Sequence, residues 1–262
     1  MKVRGITADF YKILCCAGKR EDEHMSIRFV LFDLDGTLLP MDQDEFTRGY
    51  FKLLAEKMAP HGYEHTKFID AVWSGVAAMV ANDGSKSNEE AFWGKFAEIY
   101  GKKAITDKPI FEEFYANEFE GAKNFCQYNS KAVKSVHKIK EMGYVTVLAT
   151  NPLFPSTATE KRIRWGGFKP DDFELYTTYE NSSYCKPNPD YYREILKRLG
   201  AKPEECLMVG NDVEEDMVAE NIGMKVFLLT DCLINKEKRD ISAFPNGSFE
   251  QLTEYVVKLR ER

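Results

Sequence analysis

Four short apolar runs, each stopping abruptly at polar residues, set the rhythm of the chain: residues 27–32, 144–150, 206–209 and 225–229. They are rich in β-branched and aromatic side chains, and each is too short for a buried helix. Continuous apolar runs ending in turn residues fit strands of a parallel sheet buried on both faces. Helix signals fall between and after them. Asn188 followed by Pro189 predicts an N-cap with proline in the first turn, opening a helix that ends near Gly200. Ser248 with Gln251 marks a second start by the capping-box pattern. From Val145 onward the alternation of strand and helix predicts βαβ units, hence an α/β fold with a Rossmann-like parallel sheet.

Residues 41–128 interrupt that alternation. No apolar strand is evident there, and the pattern predicts helices over 44–58, 67–81, 88–100 and 110–119, the third opened by a Ser87/Glu90 capping box. The chain therefore divides into an α/β core of 25–40 and 129–262 and a helical insertion of 41–128. The insertion holds 16 of the 34 aromatic residues, a density that calls for a packed interior. Trp73, Phe92, Trp93, Phe96 and Tyr100 recur near helical spacing and are expected to form the core of a small bundle. The alternative is that some of them line a substrate cleft, and Trp73, Trp93 and Lys95 are the specificity candidates by composition.

Composition narrows the function classes. The 262 residues carry 36 basic and 42 acidic side chains, a formal charge of -6. That balance argues against a surface built to coat nucleic acid or an anionic membrane. No stretch approaches about 18 uninterrupted apolar residues, so no transmembrane helix is expected. The six cysteines form no CxxC pair and no Cys/His cluster, which removes a zinc site and suits reduced thiols in a cytoplasmic protein. Cys185 reads as a packed residue rather than a reactive thiol. The first 24 residues lack an uninterrupted apolar segment and read as a dispensable extension ahead of Met25, not as a secretory signal.

The polar clusters at the strand ends carry the chemistry. They are Asp33/Asp35/Thr37, Thr150-Asn151, Lys186 before Pro187, and Asn211-Asp212 with Asp216. In an open parallel sheet the carboxyl ends of the strands gather along one edge, where ligands bind. Converging carboxylates repel one another unless a cation neutralises them, and oxygen-only donors suit Mg²⁺. A lysine and a hydroxyl beside such a metal match the oxygens of a phosphoryl group. An Asp with a second carboxylate two residues on can act as nucleophile while its neighbour moves the proton.

These four clusters, in this order, resemble the four motifs of the haloacid dehalogenase superfamily, over a stretch from Ile27 to Thr230. The resemblance implies that 41–128 is a helical cap inserted between the first and second motifs. It implies that Asp33 is the nucleophile and a metal ligand, and that Asp35 is the general acid/base whose backbone carbonyl also binds metal. Thr150, helped by the Asn151 backbone, would hold the phosphoryl group, and Lys186 would offset its charge. Asp212 would complete the metal site with Asp216 in support. Asn211 stands where many relatives carry Asp, so it is a second candidate for that ligand. An Asp at position 35 implies phosphate-ester chemistry, since dehalogenases proper lack it. The expected activity is Mg²⁺-dependent hydrolysis of a small soluble phosphate monoester by a monomer or homodimer, with no nucleic acid or membrane partner. A phosphomutase, or a non-catalytic phospho-accepting regulator, is the alternative.

Overall fold

The computed structural model describes residues 27–260; the N-terminal extension assigned from sequence lies outside them. The elements run β1 (Phe29–Phe32), α1 (Gln43–Met58), α2 (His65–Val80), α3 (Asn88–Tyr100), α4 (Lys102–Thr106), α5 (Lys108–Ala116), α6 (Ser130–Glu141), β2 (Val145–Leu148), α7 (Ser156–Trp165), α8 (Pro189–Leu199), β3 (Cys206–Gly210), β4 (Lys225–Leu229), β5 (Asn246–Gly247) and α9 (Phe249–Arg260). A 3₁₀ stretch over Glu118–Phe125 follows α5, and another over Met217–Ile222 follows β3.

The five strands form one parallel sheet in the order β2-β1-β3-β4-β5. Every residue of β1 and β3 is buried, which is why both read as unbroken apolar runs. Alternate residues face opposite ways, as the pleat requires. Val30, Phe32, Leu148 and Val209 enter one hydrophobic cluster, packed with α6, α9 and the insertion. Phe29, Leu31, Val147 and Met208 enter the other, with Tyr191 and Ile195 of α8. Phe32 is level with Leu148 on one side and Val209 on the other. The residues that follow these three strands therefore emerge together at one sheet edge. No helix among the described residues is long and apolar enough to cross a membrane.

Local signals explain the helix boundaries. Asn188 caps α8 by accepting from the Asp190 N–H at 2.9 Å, and Gly200 ends it in the left-handed region at φ 60°. Ser87 and Glu90 form the reciprocal capping box at the start of α3. The fourth expected helix is shorter than its pattern suggested: α5 stops at Ala116, and the chain tightens into the 3₁₀ stretch. Beside β2 the chain over 174–177 makes one bridge, Leu148 to Tyr176, with the Glu174 and Thr177 N–H groups donating to the Thr146 and Leu148 carbonyls and the Leu175 carbonyl accepting from the Leu148 N–H. The insertion is pinched at its base, where Met41 bridges Cys126 and the Gln127 N–H donates to the Pro40 carbonyl at 2.8 Å. Its interior is aromatic: the Tyr63, Phe68, Phe96 and Phe111 rings pack mostly edge-on or tilted.

Candidate active site

Asp33 is the first residue past β1, and its N–H continues the ladder by donating to the Val209 carbonyl at 2.9 Å. The chain then reverses tightly. Gly36 has φ +83°, and a Cβ there would lie 2.5 Å from Asn211 Nδ2, so both conformation and space demand glycine. The turn brings Thr37 back over the carboxylate, with its Oγ1 2.9 Å from Asp33 Oδ2 and 2.9 Å from Asn211 Oδ1. A hydroxyl has one proton to donate, and the Asn211 amide nitrogen already donates to the Cys232 carbonyl at 2.6 Å. One of the two oxygen pairs is therefore short of a proton.

Lys186 reaches the same carboxylate from the loop before α8. Its Nζ, with no side-chain exposure, lies 2.8 Å from Asp33 Oδ1 and 2.6 Å from Asp216 Oδ1. Burial works against the ammonium, but Asp216 and Asp33 outweigh it and hold its pKa well above the ordinary lysine value. Gly210 makes room for this trio, since a Cβ there would sit 2.0 Å from Asp216 Oδ2. That oxygen accepts from the Asp212 N–H at 3.0 Å. Asp212 in turn accepts from the Glu214 and Glu215 N–H groups through Oδ1, at 2.8 and 2.9 Å.

Asp35 is held differently. Its carboxylate pairs with Arg162 of α7, whose side chain is wholly buried, lies over the Phe154 ring at 4.4 Å and donates to Thr159 Oγ1 at 3.3 Å. Burial raises the Asp35 pKa and Arg162 opposes the rise. Its Oδ1 is buried without a hydrogen-bond partner. Thr150 is buried at the end of the β2 segment, its carbonyl accepting from Thr177 Oγ1 at 2.6 Å and from the Tyr191 hydroxyl at 2.8 Å. Asn151 donates to Glu215 Oε2 at 3.1 Å. Burial pushes the Glu215 carboxyl up to about 7.

A cavity of about 220 Å³ opens above these groups. Asp33, Asp35, Thr150, Asn151, Asp212 and Asp216 all line it; Lys186 acts from beneath Asp33. The side chains of α1, α2, α3 and α5 form the opposite wall, including Phe51, Trp73, Val76, Phe92 and Trp93. The aromatic pattern thus serves both expected roles. Phe96 is fully buried in the bundle, whereas Trp73 stands at the cavity with 48% exposure. Lys95 does not line the cavity and pairs with Glu98 instead.

A family model described as haloacid dehalogenase-like hydrolase matches residues 27–223, three quarters of the chain. The chain belongs to the haloacid dehalogenase-like hydrolases. Among curated proteins it is similar to pyrophosphatase PpaX of Bacillus cereus (strain AH820), 25% identical over 202 residues, covering 77% of this chain and 82% of that protein. Its fold resembles that of a 2-haloacid dehalogenase from Pseudomonas syringae pv. Tomato DC3000, with TM-score 0.58 and 19% identity over 88% of this chain and 99% of that one. It likewise resembles a predicted phosphoglycolate phosphatase from Haemophilus somnus 129pt, with TM-score 0.54 and 15% identity over 87% and 97% of the two chains.

Two groups of this hydrolase escaped the motif reading. Arg162 lies on α7 among Ala158, Thr159 and Ile163, all buried. Its place on the inward face of that helix was the available signal, masked by the flanking Lys161 and Arg164. Glu215 belonged to the acidic run 214–216, in which only Asp216 was singled out.

The oxygen donors fit a hard divalent cation in their chemistry. Among the described residues no three carboxylate, imidazole or thiolate groups are gathered as a ready metal site. The donors at the cavity floor are mixed instead: Asp33 Oδ2 and Asn211 Oδ1 share one hydroxyl proton, and Asp35 Oδ1 is an orphaned acceptor. Five carboxylates (Asp33, Asp35, Asp212, Glu215, Asp216) face two cations (Lys186, Arg162), which leaves three negative charges in excess when all are ionised.

Proposed function

We propose that the protein is a Mg²⁺-dependent phosphatase that hydrolyses a small phosphate monoester through an aspartyl-phosphate on Asp33. The observation that carries this reading is the fixation of one carboxylate, Asp33, between Lys186 and Thr37 at the floor of a cavity that a second carboxylate, Asp35, also lines. A carboxylate so held presents an oxygen to phosphorus without needing to reorganise. Asp33 oxygen attacks phosphorus, the bond to the ester oxygen breaks, and protonated Asp35 gives its proton to that oxygen. Burial of Asp35 favours this acid form. Asp35, now a carboxylate, then takes a proton from water as the water oxygen attacks phosphorus. The bond to Asp33 breaks, and phosphate leaves.

Asp33, the Asp35 backbone carbonyl and Asp212 would hold the metal, with the Asn211 amide oxygen beside Asp33 as a further donor. Bound Mg²⁺ would neutralise phosphoryl oxygens and the excess negative charge of the floor. Thr150 and Asn151 would position the phosphoryl group, and the insertion would close over it as a cap that excludes water. The pyrophosphatase among the relatives and the predicted phosphatase among the structural neighbours support phosphorus chemistry. The test is phosphate release from an aryl phosphate with and without Mg²⁺, comparing wild type with Asp33→Asn. Mg²⁺-dependent release abolished by the substitution is expected. Equal release from Asp33→Asn would overturn the assignment of the nucleophile.

A further inference from the structure

We infer that the ligand of this cavity is a phosphate ester whose organic part is uncharged and apolar, a single aromatic ring or a short branched chain, and that compounds bearing a second anionic group are poor ligands. For turnover the inference rests on the phosphatase reading; for binding it stands on the cavity itself.

The cavity has two unlike ends. Of its 25 lining residues none is Lys, Arg or His, while five are acidic and all of these lie at the floor. Ten are aromatic. The cations nearest the floor are already committed: Lys186 to Asp33 and Asp216, Arg162 to Asp35. In the insertion, Lys108 pairs with Glu89 and Lys95 with Glu98. A carboxylate or second phosphate on the ligand would thus lose its water against a wall offering no positive partner, a cost that grows as the site closes. A metal at the floor would neutralise the transferred phosphoryl group but not a charge at the far wall.

The wall is also uncharged in its polar groups. The Tyr50 and Tyr115 hydroxyls lie 2.8 Å apart and bond each other, and burial raises both phenols, so neither offers an anion or a free pair of sites. Size points the same way. About 220 Å³ falls below the roughly 300–1,000 Å³ of pockets for drug-sized ligands, which leaves room for one ring rather than a nucleotide. Trp73 adds a second, separate sign. It is 48% exposed at the cavity, 5.1 Å from the Phe51 ring, and a large apolar side chain at a cavity mouth gains most when a ligand covers it. The inference sets this chain apart from the pyrophosphatase it resembles.

The test is titration calorimetry on the full chain with Mg²⁺, using three non-hydrolysable probes: phenylphosphonate, phosphonoacetate and imidodiphosphate. Phenylphosphonate is expected to bind at least tenfold more tightly than either of the others. Equal or tighter binding of an anionic probe, or no saturable binding of any, would overturn the inference. Trp73→Ala, at a half-exposed position that should not endanger folding, is expected to weaken phenylphosphonate at least fivefold and leave inorganic phosphate unchanged. Val76→Lys, which adds a cation to the wall, is expected to move the ratio tenfold towards phosphonoacetate. Indifference of both variants would overturn the role of the wall. Turnover separates the two readings. Faster hydrolysis of pyrophosphate or phosphoglycolate than of 1-naphthyl phosphate would sink the ligand class and leave a phosphatase. A panel without turnover, with the binding order intact, would sink the phosphatase and leave the ligand class.

Discussion

Arg162→Met removes the guanidinium that pairs with Asp35 while keeping an unbranched apolar side chain over Phe154. The arginine side chain has no exposure and the Asp35 side chain 22%. Breaking a fully buried pair by removing one partner costs about 3–5 kcal/mol, mostly from the charge left behind. Asp35 faces the cavity, where water reaches it, so the lower end applies, about 3 kcal/mol. For a chain of this size that corresponds to a fall of roughly 6–12 °C in Tm. Asp35→Asn should cost a similar amount, because it strands Arg162 in the interior. The double variant buries neither charge, so its loss should be no larger than that of either single change, a coupling of at least about 3 kcal/mol. Thermal melts and urea titrations of the four proteins in EDTA measure it without involving turnover. Losses that add to within about 0.5 kcal/mol would refute the pairing argument and assign the cost of each substitution to packing alone.

Three further outcomes follow from the site geometry. Gly210→Ala places a methyl 2.0 Å from Asp216 Oδ2 and should cost about 1–3 kcal/mol while displacing the acceptor of Lys186; an unchanged melting curve would contradict it. Lys186→Met leaves Asp33 and Asp216 buried without their cation and should lower phosphate release by roughly 10²–10³-fold, whereas Lys186→Met with Asp216→Asn should regain stability but not turnover, as melts and assays on both proteins would reveal. Burial pushes the Cys185 thiol up to about 12, so peptide-resolved alkylation near neutral pH should label it only after denaturation; rapid labelling of the native protein would contradict the packed reading.

What the sequence made legible was whatever depends on strand ends. Asp33, Thr150 and Asn211 could be read together because each follows an apolar run, and the register that levels Phe32 with Leu148 and Val209 turns that shared position into shared space. Ser87, Asn188 and Ser248 were equally plain, since a cap is a local hydrogen bond between near neighbours. Other features depend on tertiary contact and leave little local trace. Arg162 sits in a strongly basic helix, and only its partner 127 residues away explains why it is buried. The 3₁₀ stretch over Glu118–Phe125 follows no helical period because it packs on α1 and α7 rather than extending α5. The aromatic pattern of the insertion told of burial without telling which rings face a cavity. Phe92 and Phe96 lie one helical turn apart, yet Phe92 lines the cavity and Phe96 closes the bundle behind it.

The two ends of the cavity come from two different parts of the chain, and this separation bears on how specificity is set. The floor belongs to the strand ends of the sheet, where Gly36 and Gly210 permit approaches that a single added methyl would block. Its charges compensate one another through buried contacts, so a change there spreads from Lys186 to Asp33 and Asp216 together. Most of the wall belongs to α1, α2, α3 and α5, tied to the floor through the narrow base at Met41 and Cys126, with Leu153, Phe154 and Tyr179 added from the chain after β2. Its contacts are apolar and shape-tolerant, and volume-conserving swaps among such residues usually cost less than about 1.5 kcal/mol. Substitutions at Trp73 or Val76 can therefore alter which organic group is accepted while the buried charges at the floor stay in place. The converse does not hold, because any change to the floor reaches every substrate alike.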